Sequence, residues 1–359
     1  MPRPGKIALE LGLPYTRIGT YPTPLRLLQL LPAALGDVGS LSLKDDGLSS
    51  PLYGGNKVRK LELVLGEAIR RGAREVLTFG FAGSNHATAT AVHASKLGMR
   101  GISMLLPQAN PPYVATNLAV SEAVGAELHY YRSMPGLVAG VLWQLLRHRV
   151  HSGRWPFVIA PGGSSPLGTL GFVKAAFELV EQLERESSPP PDIVYVPFGS
   201  GGTAVGLALG FAAAGLSTRV AAVRVTEAKH ANERKAAKLW RKTAALLVAS
   251  DPSFPRIPFD RARLVIRDEF FGRGYAVVTR EAAEAIELMK NHEGVQLDVT
   301  YTGKTLACLI ADSRSGVLAG KHVLFWNTYN AADLTSLAAR GSRARLPTRL
   351  RAYVPRTTL

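Results

Sequence analysis

The chain has 359 residues, of which 47% are hydrophobic, which is enough for a large core and two lobes. No apolar run reaches the length of a membrane span, and residues 1–6 lack the apolar region of a secretory signal peptide. The only cysteine is Cys308, which excludes an intrachain disulfide and favours a cytoplasmic location.

The net charge of +16 fits either a nucleic-acid-binding surface or an ordinary solvated basic surface. Two basic stretches contribute: residues 224–242, predicted to form a helix, and the C-terminal tail from Arg340. Neither contains the interleaved aromatic residues of a single-strand binder. We therefore expect a solvated basic surface and no nucleic-acid partner.

Short β-rich runs alternate with helical patterns along the chain. Strands are predicted over residues 75–80, 100–106, 126–131, 157–160, 192–198, 219–226 and 322–326. Helices are predicted over residues 84–97, 111–125, 136–148, 203–215 and 280–291. Residues 193–196 are apolar throughout, as in strands that are covered on both faces. The alternation predicts an α/β protein with parallel sheets flanked by helices.

Two polar segments are candidate internal boundaries. Residues 186–192 contain three prolines, and residues 45–55 are rich in Ser, Gly and Asp. The first is the stronger candidate.

The first candidate functional segment is Gly54-Gly55-Asn56-Lys57, which precedes a helical pattern. By itself such a lysine is usually a solvated cation. Here the two glycines allow the backbone to approach a flat ring, and the helix N-terminus, Arg59 and Lys60 are expected to lower the pKa of Lys57. A lowered pKa favours an amine that forms a Schiff base, for which Lys60 is the alternative.

The second segment, Gly83-Ser84-Asn85-His86, follows a predicted strand and begins a helix. Ser84 at such a position is commonly an N-cap, and His86 alone is more often structural. A helix N-terminus with free N–H groups is also a carboxylate site. Ser84 and Asn85 are therefore candidate ligand contacts, and His86 is a candidate substrate contact.

The third segment is the loop Gly199-Ser200-Gly201-Gly202-Thr203, between an apolar strand and a helix. Its backbone N–H groups can surround a phosphate, and the hydroxyls of Ser200 and Thr203 can add hydrogen bonds. The alternative is a flexible turn. The loop is neither a Walker loop nor a dinucleotide fingerprint. A second glycine loop, residues 161–165, is predicted to turn at the junction of the lobes.

Three further side chains complete the candidate site. Tyr275 and Tyr301 are either ordinary core residues or phenols that stack on a cofactor or relay a proton. Thr328 follows a late strand, at the edge where α/β proteins bind ligands. No zinc spacing or Gly-x-Ser-x-Gly elbow is present, which argues against those hydrolase classes.

A lysine loop, a polar helix start and a phosphate loop, in this order, indicate a pyridoxal-phosphate enzyme. The chain resembles the D-cysteine desulfhydrase and 1-aminocyclopropane-1-carboxylate deaminase family, fold type II enzymes related to the tryptophan synthase β subunit. The resemblance is carried by residues 21–25, 55–62, 84–86, 162–168, 199–203, 274–275 and 301–304.

The resemblance implies two lobes, each a mostly parallel sheet flanked by helices, and a homodimer. Residues 1–50 with 164–359 would form the large cofactor-binding domain, and residues 51–163 the small domain. Lys57 would be the Schiff-base lysine, Asn85 would bind the ring hydroxyl, and residues 199–203 would hold the phosphate.

The resemblance also implies contacts with a small amino-acid substrate. Ser84 would bind its carboxylate, and Tyr275 and Tyr301 would line its side of the pocket. Deaminases of the family tend to have Glu after the second tyrosine, whereas desulfhydrases have Thr. Thr302 therefore favours a desulfhydrase over a deaminase.

One segment departs from the family pattern. Desulfhydrases have His-Thr-Gly-Gly after the last strand, and this chain has Asn327-Thr328-Tyr329-Asn330. Thr328 would remain the partner of the pyridine nitrogen. The two glycines would allow close backbone approach or a positive φ, which Asn tolerates and Tyr tolerates poorly, so we expect a reshaped pocket.

The resemblance implies a lyase that eliminates sulfide from D-cysteine, giving pyruvate and ammonia. One alternative is another reaction on the same scaffold: deamination by cyclopropane opening, β-replacement, or elimination from another β-substituted amino acid. A second alternative is a non-catalytic basic binding protein.

Overall fold

The computed structural model describes residues 12–36 and 38–355. The strands are β1 (Leu25–Leu27), β2 (Ser40–Asp45), β3 (Glu75–Phe81), β4 (Arg100–Leu106), β5 (Glu127–Tyr130), β6 (Phe157–Val158), β7 (Ile193–Phe198), β8 (Arg219–Arg224), β9 (Leu264–Arg267) and β10 (His322–Asn327). The helices are α1 (Leu31–Leu35), α2 (Lys57–Arg70), α3 (Asn85–Lys96), α4 (Tyr113–Ala123), α5 (Met134–Ser152), α6 (Pro166–Arg185), α7 (Gly202–Ala213), α8 (Glu233–Ser250), α9 (Arg280–Glu293), α10 (Thr302–Arg314) and α11 (Thr335–Ala338).

These strands form two sheets. The larger has the order β1-β2-β10-β7-β8-β9, in which β1 is antiparallel to β2 and the other pairs are parallel. The smaller has the order β5-β4-β3-β6 and is parallel throughout. Parallel pairing requires crossover connections, and the helices supply them.

The core is built from the apolar runs that the sequence places on these elements. Helix α7 is apolar all round and buried along almost its whole length, because α6 and the larger sheet cover it. On one face of the smaller sheet, Leu137 of α5 packs against side chains of β3 and β4. None of the helices in the described ranges is long and apolar enough to cross a membrane.

The candidate segments follow the carboxyl ends of strands in both sheets. Gly199 follows β7, Thr328 follows β10, and Ser84 lies shortly after β3. The carboxyl ends of parallel strands meet at one edge, so the connections that follow them come together. The parallel alternation predicted from the sequence is therefore observed, and it positions the candidate site.

Two local predictions were wrong. Residues 224–242 do not form one helix, because β8 ends at Arg224 and α8 begins at Glu233, where the Asn232 side chain caps Lys235 N–H. Residues 186–192 connect α6 to β7 and do not lead from one sheet to the other. Such proline-rich segments mark loops, and loops occur within lobes as well as between them. The division into domains stays a prediction.

Candidate active site

Lys57 is the first residue of α2, and its side chain is half-buried. Its Nζ donates to Asn56 Oδ1 at 2.9 Å and lies 5.9 Å from the centre of the Tyr301 ring. Burial lowers the pKa of Lys57 to about 8, against a raising contribution from Asp298. The predicted direction is correct, but the cause is burial, because Arg59 is neutralised by Asp46 and Glu178.

The lysine loop is tied to the glycine loop and to the end of β10. Asn56 Nδ2 donates to Thr203 Oγ1 at 2.9 Å, and Asn56 N–H donates to the Thr328 carbonyl at 3.2 Å. Gly55 has φ +86°, and a Cβ there would lie 2.7 Å from the Thr328 carbonyl oxygen. Only glycine allows this close approach. Lys57, Thr203 and Thr328 are thus brought to one place.

A second lysine lies beside the glycine loop. Lys60 is buried, and its Nζ donates to Ser164 Oγ at 3.0 Å and to the Gly162 carbonyl at 3.2 Å. Ser164 Oγ also accepts from Gly202 N–H at 3.1 Å and contacts Ser200 Oγ at 2.7 Å. The second glycine loop therefore lines the site, and Lys60 Nζ is bound to this loop.

This corner fits a phosphate group. Gly201 adopts φ +91° at the N-terminus of α7, whose first N–H groups have no partner within the helix. A Cβ on Gly202 would lie 2.9 Å from Lys60 Nζ and 2.6 Å from Ser164 Oγ. Glycine therefore keeps space open between an ammonium group and a helix N-terminus, as an anion requires.

The start of α3 combines capping with ligand-facing groups. Ser84 Oγ accepts from Ala87 N–H at 3.2 Å, so Ser84 is the N-cap. Asn85 Oδ1 accepts from Tyr53 at 3.1 Å and from Asn117 Nδ2 at 2.8 Å, and these contacts fix the orientation of the amide. Tyr53 and Asn117 are site neighbours that the sequence analysis missed, because neither belongs to a recognisable motif.

His86 is buried behind the second glycine loop. Its Nε2 lies 2.9 Å from Thr78 Oγ1. Burial lowers the pKa of His86 well below its ordinary value, and Lys57 and Lys60 lower it further. His86 is therefore a neutral group beside two lysines.

Two phenols lie next to the lysine. The hydroxyls of Tyr275 and Tyr301 are hydrogen-bonded to each other. The Tyr275 ring stacks on Phe81 of β3 at 4.3 Å between centroids. Burial raises the pKa of both phenols well above the ordinary value. Both therefore keep their protons at neutral pH, and a protonated phenol can donate.

Asp298 is a buried carboxylate near this pair. It accepts from the backbone N–H groups of Thr300, Tyr301 and Thr302 at 2.9 to 3.0 Å and from the Thr302 hydroxyl at 2.8 Å. Burial raises its pKa, against the lowering effect of these hydrogen bonds. The Thr302 hydroxyl is thus bound to Asp298, which fixes the turn that carries Tyr301.

The segment that departs from the family pattern is unstrained. Among the described residues other than glycine, only Ser187 and Ala276 have positive φ, so Tyr329 does not require the left-handed conformation. Asn327 Nδ2 donates to Asp45 Oδ1 at 2.9 Å, and Asn330 Oδ1 accepts from Gly54 N–H at 2.5 Å. Asn327 and Asn330 are thus hydrogen-bonded to the end of β2 and to the lysine loop.

A buried ionic cluster lies behind the lysine loop. Arg59 donates to both oxygens of Asp46 and to both oxygens of Glu178, and Lys44 Nζ lies 2.6 Å from Glu178. Trp326 Nε1 donates to Asp46 Oδ2 at 2.9 Å. The cluster joins β2, α2, α6 and β10 directly behind the candidate site.

Comparison with known proteins agrees with this geometry. A sequence profile of the family described as "Pyridoxal-phosphate dependent enzyme" matches residues 16–328. The chain is 32% identical to the D-cysteine desulfhydrase of Salmonella typhi over 294 residues, which are 80% of this chain and 85% of the relative. It is 35% identical to the nocardicin C-9' epimerase of Nocardia uniformis subsp. tsuyamanensis over 294 residues, with the same two shares.

The chain is also similar to a solved structure described as an ACC deaminase homologue. The two superpose with a TM-score of 0.77 at 30% identity, over 92% of this chain and 99% of the other. These findings confirm the expected fold class, cofactor and enzyme class. The chain belongs to the family of pyridoxal-phosphate dependent enzymes.

Proposed function

We propose that this enzyme catalyses α,β-elimination from a small amino acid and that D-cysteine is its preferred substrate. D-Cysteine and water would give pyruvate, ammonia and hydrogen sulfide. The observation that carries the proposal is the partly uncharged amine of Lys57, with a pKa of about 8, facing two protonated phenols. A base and a proton donor in one pocket suit an elimination.

The residues around Lys57 are suited to hold the cofactor. Gly201, Gly202, Thr203 and Lys60 would hold its phosphate together with Gly199 and Ser200, and Asn85 and Thr328 would bond to its ring. When bound through Lys57, pyridoxal phosphate supplies the carbonyl that captures the substrate amine and the electron sink that acidifies its α-carbon.

The start of α3 would bind the substrate. The Ser84 hydroxyl and the free N–H groups at this helix end would donate hydrogen bonds to the substrate carboxylate, since a helix N-terminus favours an anion. His86 lies behind them and, being neutral, adds no competing charge. This arrangement orients the α-hydrogen relative to Lys57.

The proton transfers use Lys57 and the phenol pair. Lys57 Nζ removes the α-proton, and the C–S bond breaks with its electron pair going to sulfur. A phenol of the Tyr275–Tyr301 pair donates a proton to the departing sulfur, and solvent restores it. Thr328 is neutral and cannot stabilise a positive charge on the pyridine ring, which favours prompt elimination over racemisation.

A second candidate substrate class is another β-substituted amino acid. Tyr329 places a large, half-buried side chain next to Thr328, at a position where the family pattern has glycine. Such a side chain changes the volume available to the β-substituent, so the leaving group can differ from sulfide.

The experiment is to record the visible spectrum of the cofactor-loaded protein and to assay sulfide and pyruvate after adding D-cysteine. We expect a visible absorption band that changes with D-cysteine while both products appear in equal amounts. A panel with L-cysteine, β-chloro-D-alanine, cysteate and 1-aminocyclopropane-1-carboxylate ranks the alternatives. A band that D-cysteine leaves unchanged would refute that substrate.

The lysine assignment is tested with Lys57→Ala and Lys60→Ala. We expect Lys57→Ala to lose the covalently bound cofactor, seen as the absence of a borohydride-fixed adduct by mass spectrometry, together with activity. Lys60→Ala is expected to keep the adduct and to bind the cofactor more weakly. The opposite pattern would transfer the role to Lys60.

A further inference from the structure

A side chain on the loop after β4 is bonded to the start of α3. Gln108 lies two residues beyond the end of β4, and each end of its side-chain amide has a partner. Its Oε1 accepts from Gly83 N–H at 2.9 Å, and its Nε2 donates to the Tyr113 hydroxyl at 3.3 Å. The two different partners define the orientation of the amide. Because Gly83 directly precedes Ser84, Gln108 holds the segment to which the proposed function assigns the substrate carboxylate.

The peptide groups of Gly83 are held by side chains from both directions. Asn117 Nδ2 of α4 donates to the Gly83 carbonyl at 3.0 Å, while Gln108 accepts from the N–H. A Cβ on Gly83 would lie 2.5 Å from Val114 Cγ2 and 3.0 Å from Tyr113 Cε2, so only glycine fits against these side chains. The start of α3 is therefore packed directly on the start of α4.

The Tyr113 hydroxyl extends this connection to α10, which packs on the larger sheet. It lies 2.8 Å from Thr300 Oγ1, and because its oxygen accepts from Gln108, its proton is available to Thr300. Burial raises the pKa of Tyr113 to about 12, so this hydroxyl keeps its proton at neutral pH. Thr300 is buried, and Asp298 accepts from its N–H and from that of Tyr301. The path of hydrogen bonds therefore ends at the turn that carries Tyr301.

The backbone of Gln108 is fixed by the C-terminal segment. The Tyr353 hydroxyl lies 3.2 Å from both the backbone nitrogen and the carbonyl oxygen of Gln108. Asn110 Nδ2 donates to the Tyr353 carbonyl at 3.2 Å. Beside this contact, Leu350 and Val354 are buried among apolar side chains of β4, β5 and α4. Both the backbone and the amide of Gln108 thus have defined positions.

We propose that Gln108 is a positioning residue for the substrate carboxylate, an inference that rests on the proposed function. Through Gly83 it fixes the start of α3, and through Tyr113 and Thr300 it fixes the distance from there to the phenol pair. A small amino acid must reach both places, one with its carboxylate and the other with its β-substituent. Gln108 therefore favours ligands that carry a carboxylate beside the amine.

The first test compares free alanine with ethylamine, which lacks only the carboxylate. Binding of each to the cofactor-loaded protein is followed by the change in the visible band. We expect the wild type to bind one enantiomer of alanine much more tightly than ethylamine. Gln108→Leu leaves Gly83 N–H unsatisfied and should lower this preference by a factor of at least about 5, with the ethylamine affinity unchanged within about twofold. Gln296→Leu, at an exposed glutamine, is the control.

The two ligands separate a positioning role from a structural one. Equal losses of affinity for alanine and ethylamine in Gln108→Leu, or an unchanged preference, would overturn the proposal. A wild type without preference for alanine would also overturn it, because the carboxylate would then have no site. Absence of sulfide from D-cysteine would refute the proposed substrate instead and would leave this comparison valid, since alanine has no leaving group.

The second test is a double-mutant cycle between Gln108→Leu and Thr300→Val, which are linked through the Tyr113 hydroxyl. We expect Gln108→Leu to reduce the alanine affinity less in the Thr300→Val background than in the wild type. Tyr113→Phe, which keeps the ring against Gly83, should lower the preference for alanine as well. Independent, multiplicative losses in the cycle would contradict the path through Tyr113. Circular dichroism and the visible band verify that each variant is folded.

Discussion

Asn56 and Thr203 determine how the two loops of the candidate site meet. Their side-chain hydrogen bond of 2.9 Å joins the residue before Lys57 to the residue that ends the glycine loop. Both side chains are buried, so removal of the Thr203 hydroxyl leaves the Asn56 amide without a hydrogen-bond partner. The bond therefore couples the position of the lysine to that of the phosphate loop.

Thr203→Val is expected to weaken this coupling. The unsatisfied Asn56 amide costs about 1–3 kcal/mol, and where this cost falls on binding, the cofactor affinity drops by a factor of roughly 5 to 150. Equilibrium titration with pyridoxal phosphate, followed by absorbance, measures the effect. Thr243→Val, at a buried threonine within α8, is the control. Equal affinities of wild type and Thr203→Val would show that the bond does not shape the phosphate site.

Lys304 is a buried cation that holds the segment before Tyr275. Its Nζ donates to the carbonyls of Phe271 at 2.6 Å and Gly274 at 3.3 Å. Burial lowers its pKa from 10.5 to about 8, against a raising contribution from Asp298. Between these two values the unfolded chain binds the proton and the folded chain does not, so stability from this group rises with pH.

We expect the free energy of unfolding of the cofactor-free wild type to rise relative to Lys304→Met above pH 8. The slope is at most about 1.4 kcal/mol per pH unit up to about pH 10.5, and below pH 8 the difference is constant. Urea titrations from about pH 7 to 10 measure it. Lys290→Met, at an exposed position, is the control. A pH-independent difference would contradict the assigned pKa.

The ionic cluster behind α2 ties four elements together at the point where Lys57 is presented. Arg59, Asp46 and Lys44 are almost fully buried, and Glu178 is nearly so. A buried ionic group that loses one partner is left uncompensated. The start of α2 therefore depends on side chains from three other elements.

Arg59→Leu is expected to lower the free energy of unfolding by about 3–5 kcal/mol, because it leaves Asp46 and part of Glu178 unpaired. Arg70→Leu on the same helix removes an exposed guanidinium, and Glu67 keeps its second partner Arg71, so the loss should be much smaller. Denaturant unfolding measures both changes. Similar losses for the two variants would mean that the buried cluster contributes no more than a surface pair.

The elements were largely predictable because apolar periodicity and glycine turns are local signals. The lysine loop, the start of α3 and the glycine loop all fall where their residue patterns predict. Asp298, Asn117 and the Lys60–Ser164 contact were not predictable, since each depends on residues brought together from distant parts of the chain. Lys60 shows the limit most clearly: its sequence spacing from Lys57 permits either role, and only packing directs it to the glycine loop.

The two sheets of the molecule are interlocked at the candidate site. Asn56–Thr203 and Lys60–Ser164 join segments that border the smaller and the larger sheet, and α2 packs along α6. Unfolding of one sheet would therefore expose buried polar groups of the other. We expect a single cooperative transition.

The tryptophans allow this to be measured. Trp143 and Trp155 lie near the smaller sheet, whereas Trp240 and Trp326 are buried against the larger. In a Trp143→Phe/Trp155→Phe variant, fluorescence reports the larger sheet and far-ultraviolet circular dichroism reports the whole chain. Coincident midpoints in urea are expected. Separate midpoints would indicate that the sheets unfold independently.

The net charge of +16 is a property of the surface and not of the site. On α8 the basic residues Arg234, Lys235, Arg241 and Lys242 are exposed to solvent. Within the site, Lys57 and Lys60 face carbonyl, hydroxyl and amide groups. The total charge can be counted from the sequence, but only the packing shows which basic side chains lie on the surface and which lie in the site.

The half-buried amine of Lys57 makes this lysine a selective chemical handle. At pH 8 about half of a group with a pKa of about 8 is uncharged, compared with about 0.3% of a lysine with an ordinary pKa. Lys60 and Lys304 also have lowered pKa values, but their side chains are fully buried, whereas Lys57 is only half-buried. An aldehyde-bearing fluorophore small enough to enter the pocket would therefore label the cofactor-free protein mainly at Lys57. The same reactivity makes the cofactor-free protein a trap for metabolic aldehydes, so storage without cofactor would inactivate it through covalent modification at this one position.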